Sequence, residues 1–165
     1  MLSGSSGIAS GAFADGGETI RIGLIGCGGR GTGAAAQALA TEGPVQLVAM
    51  ADAFPDQLER SLKRITSSVG TRKERVAVTP ERQFTGFDAY KQLIACDVDL
   101  VILATPPGFR PIHFSAAIDA GKHVFTEWPL GRTTEEAKQL AAQAKEKGVR
   151  TIVGLQSRAN PTILH

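Results

Sequence analysis

The residues whose types and spacing can do chemistry begin at Gly26-Cys27-Gly28-Gly29-Arg30-Gly31, a G-x-G-x-x-G run. It directly follows the apolar stretch Ile20–Ile25 and precedes a run of small residues, Ala34–Ala40, that reads as a helix. In that setting each glycine has its own use. Gly26 permits a tight turn, Gly28 lets a diphosphate approach the backbone, and Gly31 lets the helix sit close to the strand. A helix opening there offers amide donors and the positive end of its dipole to phosphates. An acid, Asp52, ends the next apolar stretch, 26 residues beyond Gly26. A carboxylate at that point can accept hydrogen bonds from ribose hydroxyls and repels a further phosphate. No Arg or Lys follows in Ala53-Phe54-Pro55-Asp56. The pattern predicts a dinucleotide site that takes NAD in preference to NADP.

Thr105-Pro106-Pro107 closes the most apolar stretch, Val98–Ala104. In an open α/β sheet a cofactor crosses beside such strand ends. His113 follows just inside the next helix, where a lone histidine packs or caps more often than it reacts. Cys27 sits at a helix start, a position that can lower a thiol pKa; a small side chain filling a tight loop is the plainer reading. The three histidines are scattered, and Cys27 and Cys96 cannot supply a thiolate zinc site or a disulfide framework. No metal is expected.

These residues need elements to hold them. Apolar runs at Ile20–Ile25, Val45–Ala51, Val98–Ala104, His123–Thr126 and Arg150–Val153, with a weaker one at Arg75–Val78, read as strands covered on both faces. Between them lie helical patterns. Pro55 opens one with Leu58, Leu62 and Ile65 on a face, and Asp88 is placed to cap Ala89–Ile94. Pro111 opens another that runs through Ala120 to Gly121, and Thr133 with Glu136 forms a capping box for the last, which ends at Gly148. This alternation predicts an α/β fold: a doubly wound, mostly parallel six-stranded Rossmann sheet with helices on both faces, in strand order 3-2-1-4-5-6. The chain has 165 residues, a net charge of +2 and no apolar run long enough for a membrane helix. Residues 59–75 carry a basic excess without interleaved aromatics, which reads as a solvated face and not as a nucleic-acid surface. No nucleic-acid or membrane partner is expected.

Three blocks together resemble the Gfo/Idh/MocA oxidoreductases: Arg21–Gly31, Thr105-Pro106-Pro107 with His113, and Ala120-Gly-Lys-His-Val-Phe-Thr-Glu-Trp-Pro129. The likeness covers about residues 19–163. It implies that Gly26, Gly28 and Gly31, with Gly29 and Arg30 in the same loop, hold the pyrophosphate, and that Asp52 holds the adenosine ribose. Thr105 and Pro106 would line the nicotinamide ribose, Glu127 would bond it, and His113 and Trp128 would complete the cofactor-facing set. The family has Glu-Lys-Pro where this chain has Glu127-Trp128-Pro129, and its Lys helps the substrate proton leave. A Trp neither carries charge nor accepts a proton, so no catalytic residue is assigned. From Phe125 on, the chain is similar to the Glu-Trp-Pro branch, which includes a dinucleotide-binding regulator.

The expected organisation is a disordered tail at 1–18, whose Ala12-Phe13-Ala14 has the look of a signal-peptide remnant, a dinucleotide-binding domain at 19–158, and the start of a linker at 159–165. The resemblance implies a second α/β domain that brings a sugar or polyol substrate, and a homo-oligomer. The functional expectation is the cofactor domain of an oxidoreductase, with a non-catalytic sensor module and an inactive fragment as alternatives. The chain as given reads as cytoplasmic, or as periplasmic if a twin-arginine signal precedes it.

Overall fold

The computed structural model describes residues 18–155. The expectations for the signal-like tail up to Gly17 and for the linker at 159–165 lie outside these residues. Six strands alternate with five helices: β1 (Ile20–Ile25), α1 (Gly29–Leu39), β2 (Val45–Asp52), α2 (Pro55–Ser68), β3 (Gln83–Thr85), α3 (Ala89–Ile94), β4 (Leu100–Leu103), α4 (Arg110–Asp119), β5 (His123–Glu127), α5 (Thr134–Glu146) and β6 (Thr151–Gly154). Every pairing is parallel, and the order across the sheet is β3-β2-β1-β4-β5-β6. This is the doubly wound Rossmann arrangement that the alternation predicts.

The near-continuous apolar strands are explained by cores on both faces. On one, Ile22, Leu24, Leu47 and Met50 pack against Leu39 of α1 and Leu58 and Ile65 of α2. On the other, Val48, Val101, Leu103 and Val124 meet Leu93 of α3, Phe114 and Ile118 of α4, and Leu140 of α5. The chain runs outward from β1 to β2 and β3, then returns to place β4 on the other side of β1. The crevice beyond the carboxyl ends of β1 and β4 is therefore the switch point, where a ligand can enter without displacing a helix.

The third strand is not at Arg75–Val78. It is Gln83–Thr85, paired with Met50–Asp52. Val76 makes an isolated bridge to Leu47, and the chain then leaves the sheet through a short 3-10 turn opened by Pro80. The basic excess nearby is not simply solvated either. Arg75 Nη1 donates to the Leu39 carbonyl at 2.8 Å, and Arg72 Nη1 to that of Ala40 at 3.0 Å. Two of these cations thus close the carboxyl end of α1, where the helix leaves acceptors unpaired and its dipole favours positive charge.

Local capping is mixed. Thr133 Oγ1 accepts from the Glu136 amide at 3.1 Å, as expected at the start of α5, while the Glu136 carboxylate accepts from the Arg132 amide at 2.6 Å. Asp88 stands at the N-cap of α3 but makes no side-chain cap bond; its carboxylate pairs with Lys91 at 2.7 Å. Among the described residues no helix is long and apolar enough to cross a membrane, and no group of three or more His, Cys, Asp or Glu is placed to hold a metal ion.

Candidate functional site

A cleft of about 870 Å³ runs along the carboxyl ends of β1, β2, β4 and β5. Of the residues expected to face a cofactor, Gly26, Gly28, Gly29, Arg30, Asp52, Thr105, Pro106, His113, Glu127 and Trp128 line it. Gly31 does not; it lies behind the loop.

The glycines divide by physical role. Gly26 has φ +93°, and a Cβ there would come within 2.8 Å of the Ala104–Thr105 peptide. A Cβ on Gly31 would collide with the Gly26 carbonyl oxygen and lie 3.1 Å from its carbon. Both residues are demanded by the protein itself. Gly28 is different: its φ and ψ of −67° and −177° suit any residue, and among the described residues, its chain neighbours aside, no atom lies within 4 Å of where its Cβ would be. The fold does not require glycine there, so the open space suits a group that comes from outside. Gly28 is also the N-cap of α1; it supplies no side-chain cap, and the first turn holds no acid. The first-turn amides of α1 and the positive end of its dipole are left available to an anion.

Helix α1 starts at Gly29, five residues before the alanine-rich run at Ala34. Its first turn can therefore present those amides at the edge of the sheet. Asp52 ties the loop to β2. Its Oδ2 accepts from the Cys27 amide at 2.6 Å, and its Oδ1 from the Phe54 amide at 3.0 Å. Each oxygen keeps a lone pair for another donor. Cys27 points into the core; burial, and then Asp52, push its thiol pKa up, which makes it a poor nucleophile.

At the other end of the cleft, Glu127 is nearly buried and its Oε1 accepts from Arg30 Nε at 2.7 Å. This pair joins the start of α1 to the end of β5. Trp128, the chain's single tryptophan, is 66% exposed on the cleft wall. His113 is buried, with Nδ1 3.3 Å from Thr105 Oγ1 and its ring 4.2 Å from that of Tyr90. The histidine is thus a packed residue that orients Thr105.

Burial holds the His113 imidazole below its ordinary pKa of 6.5. Between the lowered folded value and 6.5 the unfolded chain binds more protons, so stability rises with pH. The contribution is complete above 6.5 and is lost as pH falls through the folded value. Urea midpoints measured from about pH 7.5 down to about pH 5 should decline, and His113→Asn should flatten that decline. Parallel profiles for variant and wild type would reject the assignment.

Arg110 was not foreseen. It is 4% exposed at the first turn of α4; Nη2 donates to the Thr105 carbonyl at 2.6 Å and Nη1 to the Pro129 carbonyl. Its Nε has no partner among the described residues. Burial lowers its pKa and the charge of Glu127 opposes that shift; an arginine stays charged regardless. One signal was present in the sequence: a cation immediately before Pro111 at a helix start stands against the helix dipole. The aromatic rim of the cleft, Phe54, Phe87 and Phe109, was also missed.

A family model described as an oxidoreductase family with an NAD-binding Rossmann fold, GFO_IDH_MocA, matches residues 20–155. A glycosyl hydrolase family 109 protein of Shewanella pealeana is 32% identical over 130 residues, covering 78% of this chain and 26% of its own length. The dehydrogenase aclE of Aspergillus oryzae is 41% identical over 68 residues, 41% of this chain and 19% of its own. The crystal structure of KijD10, a 3-ketoreductase from Actinomadura kijaniata in complex with NADP and TDP-benzene, matches with TM-score 0.68 and 26% identity, over 87% of this chain and 39% of that one. The WlbA dehydrogenase from Bordetella pertussis, in complex with NADH and UDP-GlcNAcA, matches with TM-score 0.67 and 29% identity, over 90% of this chain and 38% of that one. The chain spans about a quarter of the length of the curated relatives it matches over most of its own length.

Proposed function

Because this chain belongs to the GFO_IDH_MocA oxidoreductase family, as its NAD(P)-binding Rossmann domain, we propose that its cleft holds a nicotinamide dinucleotide for a reaction with a sugar or polyol. The observation that carries the reading is Gly28: an unneeded glycine with open space before it, at an uncapped helix start. The amides of Gly28, Gly29 and Arg30 hold the diphosphate, with Gly26 and Gly31 shaping the turn beneath them. Asp52 accepts from the adenosine ribose. Thr105 and Pro106 line the nicotinamide ribose, and Glu127 accepts from its hydroxyls. His113 acts through Thr105, and Trp128 presents a ring face beside the nicotinamide. When bound, the dinucleotide supplies hydride chemistry, and the residues here orient it. The WlbA neighbour, solved with UDP-GlcNAcA, supports this substrate class; in the whole protein a further domain would present the substrate.

NAD is preferred over NADP. A 2′-phosphate would lie against the Asp52 carboxylate, and Ala53-Phe54-Pro55-Asp56 offers no cation in compensation. Repulsion between such charges at a surface is worth about 1 kcal/mol, or roughly fivefold in affinity. Trp128 makes this measurable, since reduced nicotinamide absorbs where tryptophan emits. Titrating the 165-residue chain with NADH should quench its fluorescence, and NADPH should need at least about five times the concentration. No quenching at millimolar NADH would reject the cofactor reading; equal titrations would reject the preference.

Trp128 favours a second reading. With no ionisable group at that position, the same domain can report dinucleotide levels without turnover. Assaying the whole protein, native and Trp128→Lys, with NAD and a panel of polyols separates the two. Turnover by the native protein rejects the sensor.

A further inference from the structure

We propose that Arg110 is the positioning residue for the nicotinamide end of the cleft, its guanidinium holding the Thr105–Pro106 loop and the Trp128–Pro129 loop at a fixed separation. The inference rests on the cofactor reading above and deepens it.

Arg110 sits where a cation is unfavourable. It lies at the first turn of α4, where the helix dipole opposes positive charge, and is 4% exposed with its Nε unpartnered among the described residues. A leucine or methionine would fill the same volume without those penalties. What an apolar side chain cannot do is donate to two carbonyls at once. A planar guanidinium can, because its donors diverge in a rigid fork. Its two acceptors are well chosen. The Thr105 carbonyl belongs to the segment after β4, and the Pro129 carbonyl to the segment after β5. The strands themselves are paired up to Leu103 and Thr126. Past that point both segments line the cleft, and Arg110 bonds to each of them. Each carries a cleft-lining residue at or next to the bonded carbonyl: Thr105 on one side, Trp128 on the other. Glu127, one residue earlier, lies under the same positive charge. The guanidinium therefore fixes the two walls between which a nicotinamide riboside would sit.

The test uses the whole chain, wild type against Arg110→Met and Arg110→Lys. Lysine keeps the charge, but its donors all sit on one nitrogen and lack the divergent planar fork that spans two carbonyls. Calorimetry with NADH should show about a tenfold loss of affinity in both variants, the loss expected for charge-assisted bonds. Without ligand, the anisotropy decay of Trp128 should reveal faster local motion in both, at a temperature where circular dichroism shows them folded. A role confined to overall stability would not move that signal. In the wild type, the Arg110 Nη protons should give separate, exchange-protected NMR resonances, a result that needs no variant to fold. Failure of wild type to bind NADH sinks the cofactor reading and this inference with it. Wild-type binding with equal binding by the variants sinks the role of Arg110 alone. Full rescue by lysine, unchanged Trp128 motion, or freely averaging Nη protons would also overturn it.

Discussion

Replacing Gly31 with alanine is expected to cost the fold about 3 kcal/mol or more, while replacing Gly28 leaves stability within about 0.5 kcal/mol. The added methyl group is the same, and only its surroundings differ. At Gly31 it strikes the carbonyl oxygen of Gly26, a backbone atom already fixed by the hydrogen bond from its own amide to Ala51 and by the tight approach of Ala104. Relief requires α1 to move off the sheet, and α1 carries Ala34, Ala35 and Leu39 into the core. At Gly28 the methyl meets nothing among the described residues beyond its chain neighbours, and the backbone conformation there is one alanine adopts freely. The effect on ligand is reversed. Gly28→Ala places its methyl where a diphosphate would approach the loop, and NADH affinity should fall by roughly a hundredfold, about 3 kcal/mol. Urea denaturation and NADH titration on both variants check the pair. A Gly28→Ala chain that is stable and binds NADH like wild type would show that the space before the loop serves no diphosphate.

The glycine loop was legible because three separate demands, a turn, a close approach and helix packing, all select the same residue type at fixed spacing. The structure shows the turn at Gly26 and the helix packing at Gly31, and it leaves the space at Gly28 open. The third strand was misread for a related reason. Val76 and Val78 satisfy β propensity, but Gln83–Thr85 is a weaker-looking stretch that becomes a strand because β2 presents an open edge at Met50–Asp52. Tertiary pairing overrode local preference. The Arg30–Glu127 pair joins residues 97 apart, and no local pattern signals it. Arg110 left a trace, a cation in the wrong turn of a helix, but its two acceptors are backbone carbonyls, which every residue has. What sequence conveyed best was therefore the part of the site built from backbone geometry near one turn. What it conveyed least was the long-range charge that joins the two ends of the cleft.

That charge can be dissected through Arg30 and Glu127. Arg30→Ala should destabilise the chain by about 2 kcal/mol, because it strands a nearly buried carboxylate. The penalty is smaller than for a fully enclosed pair, since the Arg30 side chain is 32% exposed and the positive Arg110 lies nearby. Glu127→Gln should be mild, under about 1 kcal/mol, because the arginine it releases can be hydrated and the amide oxygen can still accept. The double variant is the informative one. With a neutral glutamine at 127 no charge is stranded, so its stability should return to that of Glu127→Gln. Its NADH affinity should not. Arg30 stands in the first turn of α1 on the cleft wall, where, on the cofactor reading proposed above, an incoming diphosphate would compete with Glu127 for its guanidinium. Loss of that charge-assisted bond should weaken NADH about thirtyfold, near 2 kcal/mol, measured against Glu127→Gln as the reference. In this view Arg30 passes from the carboxylate to the phosphates as the cofactor enters, and Glu127 is released toward the ribose. A double variant that binds NADH as well as Glu127→Gln would mean that Arg30 serves only to neutralise Glu127, and the exchange would have to be abandoned.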